Sequence, residues 1–102
     1  MKSKRLPPSD RKAALLAAAL ALAERGHYTS VTRSQIAERV GVSAALVSFY
    51  LGTMPAMRRL LMRHAVTSGN LAVIGQGLSQ GDKWAKRAAP DVRAAAAARL
   101  VG

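Results

Sequence analysis

The chain has 102 residues, half of them apolar, with no cysteine and a formal charge of +11 from 16 lysines and arginines against 5 acidic residues. That length supports one domain with a modest core, and the lack of cysteine excludes disulfide staples and thiolate metal sites. The charge exceeds what solubility requires, so a polyanion is the expected partner; two histidines and scattered carboxylates suggest no enzyme, metal or cofactor chemistry.

Residues 1–8, with Lys2, Lys4 and Arg5, read as a flexible basic arm. The apolar run at 13–23 behind it imitates a secretory signal. PPSDRK stands between the two, however: Pro7, Pro8 and Ser9 suit a helix start, and Asp10 suits its positive end. The run is also too short and alanine-rich to span a bilayer. Leu16, Leu20 and Ala23 are therefore expected to form the inner stripe of a first helix that Gly26 stops, in a cytoplasmic, nucleoid-associated protein.

Residues 33–50, RSQIAERVGVSAALVSFY, have the spacing of a helix-turn-helix. Thr32 and Gln35 stand at capping-box spacing, and Ile36, Ala37 and Val40 share one helical face. Gly41 can take the positive φ of a sharp turn, Val42 fills the corner, and the Ser43 hydroxyl suits the start of a second helix. Val47, Tyr50 and Leu51 give that helix an inner face, leaving Ala44, Ala45, Ser48 and Phe49 outside. Any small helical domain can contain two helices joined at a glycine. The clustered cations before, on and after the motif raise the weight of a DNA-reading role: Lys4, Arg5 and Arg11; Arg33 and Arg39; Arg58, Arg59 and Arg63.

Gly52 ends the recognition helix and Thr53 can cap a fourth, longer one, with Met57, Leu60, Leu61, His64, Ser68 and Leu71 as its stripe and an end near Asn70. A packed or partly exposed role is expected for His64 rather than a ligand role. Residues 75–84, GQGLSQGDKW, read as a loop rich in turn formers that carries Leu78 and Trp84 toward something apolar. Pro90 and Asp91 then open a short alanine-rich helix ending near Leu100.

The blocks LAERG at 22–26, IAERVGVS at 36–43 and ALVSFYLGTMPAM at 45–57 resemble, in order, the N-terminal domain of TetR-family transcriptional regulators, over about half the chain. The resemblance implies an all-α fold: a three-helix helix-turn-helix bundle at 9–66 with a longer fourth helix, followed here by a short helical segment at 67–102. It implies a regulator, most often a repressor, that binds inverted-repeat operators on double-stranded DNA as a homodimer. Carried onto this chain, Ser43, Ala44, Ala45, Ser48 and Phe49 face the major groove, while Thr32, Tyr50 and Thr53 approach phosphates. Arg33 and Ser34 at the start of their helix join them, with Lys4, Arg5 and Arg11 from the N-terminal side. Departures from the family pattern are Met54 where a lysine is common, Ser48 and Leu51 at aromatic positions, and a slightly longer loop before Ile36. The recognition face is also poor in Arg, Lys, Asn and Gln, the side chains that make bidentate base contacts.

Only about thirty residues follow the fourth helix, where family members carry a ligand-binding and dimerisation domain. No small-molecule inducer is therefore expected, and self-association is assigned to the C-terminal part, with Val66, Leu71, Val73, Ile74, Leu78, Trp84, Val92 and Leu100 as candidates. Such compactness suits a plasmid or phage regulator. Two other classes remain open on sequence grounds: a non-specific nucleoid or RNA-associated binder, and an antitoxin-like module that docks an acidic protein.

Overall fold

A computed structural model describes residues 8–101; the basic arm as far as residue 7, with Lys4 and Arg5, lies outside the described residues. The described chain is all-helical. It contains α1 (Pro8–Arg25), α2 (Arg33–Val40), α3 (Ala44–Leu51), α4 (Met54–Ser68), α5 (Leu71–Gln80) and α6 (Pro90–Val101), with short 3₁₀ turns at Tyr28–Ser30 and Ala85–Arg87. None of these helices is long and apolar enough to cross a membrane.

Alanine-rich α1 has high intrinsic helix propensity, with Asp10 in its first turn and Arg25 in its last complementing the helix dipole. Its buried face is wider than the expected stripe, because Leu15, Leu16, Ala18, Ala19, Leu20 and Ala23 all sit in the core. Small side chains at 18, 19 and 23 let neighbouring helices approach closely. Around this helix gather Ile36 and Ala37 from α2, Val47 and Leu51 from α3, and Met57, Leu61, Met62 and Ala65 from α4. On α4, Leu60 and His64 are half-buried and Ser68 is exposed, so the inner face runs through Met62 and Ala65 instead. Gly69, at φ 69°, stops α4 one residue short of Asn70, which begins the next element by accepting a hydrogen bond from the Val73 N–H at 3.0 Å.

The expected loop at 75–84 is corrected over its first part: residues 75–80 belong to α5. Gly75 and Gly77 mark close approaches rather than turns. A Cβ at Gly77 would lie 2.7 Å from the Ala85 Cβ and 2.6 Å from the Met62 Cε, and one at Gly75 would lie 3.2 Å from the Ala96 carbonyl oxygen. The helix ends only at Gly81, whose φ is 74°. Beyond it, the Asp82 Oδ1 accepts the N–H groups of Trp84 (2.8 Å) and Ala85 (3.1 Å), which shapes the turn leading to α6.

The segment after residue 66 packs onto the first helices. Val73, Ile74, Ala85, Ala88 and Ala96 are buried in the same cluster as α1 and α4. Val73 and Ile74, expected on a self-association face, are fully enclosed within one chain and present no surface to a partner. Val66, Leu71, Leu78, Trp84 and Val92 are partly buried against this core as well, whereas Leu100 is 52% exposed. Polar contacts add to the joint. The Gln76 Nε2 donates to the carbonyls of Ala23 (2.9 Å) and Gly26 (3.3 Å) at the end of α1, while its Oε1 accepts the Tyr28 N–H at 2.8 Å.

Tyr28 is buried, and its hydroxyl donates to the Asp82 Oδ2 at 3.1 Å. Burial, with the Asp82 carboxylate adding to it and Arg58 opposing it, pushes the phenol up to about 12. An unfolded chain ionises this phenol near pH 10. Between about pH 10 and 12 the folded state therefore holds a proton that the unfolded state has lost, and stability must fall across that window while being fully present below it. Urea denaturation at pH 9 and pH 11 is expected to show a loss that is smaller in Tyr28→Phe; an equal loss in both proteins would remove Tyr28 as its source.

Candidate nucleic-acid interface

The α2–α3 pair is built by local chemistry. At the start of α2 the Thr32 Oγ1 accepts the Gln35 N–H at 3.2 Å and the Gln35 Oε1 accepts the Thr32 N–H at 3.0 Å, closing the capping box. At its end Gly41 adopts φ 85°, and the N–H groups of Gly41 and Val42 both donate to the Ala37 carbonyl, at 2.8 and 3.0 Å. Val42 is half-buried in the corner between the helices. The Ser43 Oγ then accepts the Leu46 N–H at 3.1 Å, so α3 starts with two exposed alanines, Ala44 and Ala45.

On α3, Val47 and Leu51 point wholly into the core and Tyr50 is partly buried against it. The opposite face carries Phe49, 80% exposed and edge-on to the Tyr50 ring, with centroids 5.1 Å apart. Ser48 is half-buried and lies between the two faces. The outward surface is thus Ser43, Ala44, Ala45 and Phe49: small at the N-terminal end and aromatic one turn later.

The flanking positions sit at the starts of α2 and α4. Thr32, Ser34 and Thr53 are exposed, and the Thr53 Oγ1 caps α4 by accepting the Ala56 N–H at 3.3 Å. Thr32, Ser43 and Thr53 act as acceptors in their caps, so each hydroxyl retains a proton to donate outward. Arg33 is half-buried, and its Nη1 donates to the Gly52 carbonyl at 3.2 Å, tying the start of α2 to the α3–α4 junction. The sequence had no signal for this clamp, because its acceptor is a backbone carbonyl 19 residues away. Arg11 is half-buried on α1, and Arg39 and Arg59 are exposed. His64 has no cluster of metal-binding side chains around it: no group of three or more His, Asp or Glu able to hold a metal occurs among the described residues.

Comparison of the chain with protein-family models, with curated proteins and with solved structures returns no match.

Proposed function

We propose that this protein is a sequence-specific double-stranded DNA-binding transcriptional regulator, a repressor that binds an inverted-repeat operator as a homodimer without a small-molecule inducer. The observation that carries the reading is α3 itself. It is held against α2 by a left-handed glycine turn, with its N-terminal end and Phe49 turned to solvent, in a chain of charge +11. The major groove of B-DNA, about 12 Å wide, admits a helix presented in this way. The methyl groups of Ala44 and Ala45 and the Phe49 ring suit contact with thymine methyls. The hydroxyls of Thr32, Ser43 and Thr53, the spare N–H groups of Arg33, and Arg11 suit phosphates.

One observation favours a second reading, a sequence-neutral nucleic-acid binder. The exposed residues of α3 include no Arg, Lys, Asn or Gln, so charge elsewhere on the chain would dominate affinity. Selection of the purified protein on random duplexes, followed by anisotropy titrations across a salt series, separates the two. Under the operator reading an inverted repeat is enriched and bound roughly 10³-fold or more tightly than a scrambled duplex, with half-sites about 34 Å apart on the DNA. Equal, steeply salt-sensitive binding to every duplex would leave the sequence-neutral reading standing and remove the operator one.

A further inference from the structure

A second cationic feature lies away from α3, where α4 faces the turn before α6. Arg63 is ten residues beyond Thr53 on the same helix, about 15 Å along the axis. Its guanidinium carbon sits 4.8 Å from the centre of the Trp84 ring, and that of Arg87 sits 4.5 Å from the same centre. The two charges are therefore within about 10 Å of each other, a separation that salt at physiological strength screens incompletely. Arg63, Arg87, Trp84, Val66 and Thr67 line a groove of about 210 Å³, and none of them is a carboxylate.

Three features make this more than a pair of surface cations. Stacking on an indole holds a guanidinium flat and leaves its N–H edge free for a planar or tetrahedral oxyanion. The Trp84 Nε1 is buried and has no hydrogen-bond acceptor among the described residues, an unusual state for an indole N–H. The Thr67 hydroxyl donates to the Arg63 carbonyl at 2.9 Å, so the lining offers its donors through the two guanidiniums, with Val66 as an apolar wall. Two converging cations match a phosphate monoester, which carries nearly two negative charges near neutral pH, better than a single carboxylate. At about 210 Å³ the groove has room for a phosphate with a small organic remainder.

We propose that the groove formed by Arg63, Trp84 and Arg87 is a phosphate-binding site, separate from the α3 surface and independent of whether that surface reads DNA. The phosphate can be carried by a small molecule or by a nucleic acid.

Trp84 is the only tryptophan in the chain, so its fluorescence reports on the groove directly. The full-length protein is titrated at constant ionic strength with inorganic phosphate, a nucleoside monophosphate, acetate and a short duplex, with calorimetry as a second readout. Both arginines are exposed, so Arg63→Gln and Arg87→Gln leave the core untouched. A saturable response to phosphate or the nucleotide, weakened at least tenfold by either variant and at least tenfold weaker for acetate, supports a small-molecule phosphate site. A saturable response to the duplex alone, with the same loss in the variants, supports the site with nucleic acid as the phosphate source. A response that merely follows ionic strength, that both variants preserve, or that acetate matches overturns the proposal.

Discussion

Ala45→Asp is expected to weaken duplex binding by about a hundredfold while leaving the protein at least as stable as the parent. Ala45 is exposed in the first turn of α3, so the new carboxylate displaces nothing from the core. An acid at that position complements the positive end of the helix, a gain of roughly 0.3–1 kcal/mol. Set against a DNA groove, the same charge meets phosphates and acceptor-rich base edges, and such like-charge juxtaposition costs several kcal/mol. A loss of about 3 kcal/mol corresponds to a little over two decades in affinity. Anisotropy on the selected duplex, run beside urea denaturation, reads both effects. Unchanged affinity in a normally folded variant would mean that α3 does not enter the groove, whatever else binds DNA.

A chain ending at Gly69 is expected not to fold cooperatively. The resemblance to a four-helix DNA-binding unit suggests that residues up to 66 stand alone, but the described core extends well past them. Removing residues 70 onward takes away Val73 and Ile74, both at 0% exposure, each worth about 1.5–3 kcal/mol of burial. It also strips the Tyr28 N–H and hydroxyl of their partners on Gln76 and Asp82, and each unsatisfied buried group costs about 1–3 kcal/mol. Together these losses rival the roughly 5–15 kcal/mol by which a domain of this kind is stable. Circular dichroism through a thermal ramp decides the matter: a sloping, featureless loss of helix is expected. A sharp transition at the parent Tm would show that α5 and α6 are an appendage.

These expectations rest on different kinds of information. The limits of α2 and α3 and the start of α4 were legible from residues within one turn of each boundary. Thr32 with Gln35, Ser43 and Thr53 carry their capping acceptors on the spot, and Gly41 needs only its own backbone to adopt φ 85°. The outward placement of Ala44, Ala45 and Phe49 followed from the same helical spacing, and it is what makes α3 a candidate reader of DNA. Ser48 shows the limit of that reasoning, since it is partly buried by neighbours that spacing does not name.

What lay beyond the reach of the sequence depends on atoms far along the chain. Gly75 and Gly77 have the composition of a loop, yet they sit in α5, where a Cβ at Gly77 would collide with Met62 and Ala85 and one at Gly75 would press on the Ala96 carbonyl. Periodicity marks Val73 and Ile74 as residues that must leave water, but the hydrophobic effect is non-directional and does not specify what covers them. Here the cover comes from the same chain, where a partner subunit was expected: α5 packs chiefly against α6, and also against α4 and α1. The clamp from Arg33 to Gly52 and the convergence of Arg63 and Arg87 on Trp84 are likewise tertiary facts. Caps and turns are satisfied within a few residues and can be read locally, whereas burial and charge clusters are completed by distant segments and exist only once the helices have docked.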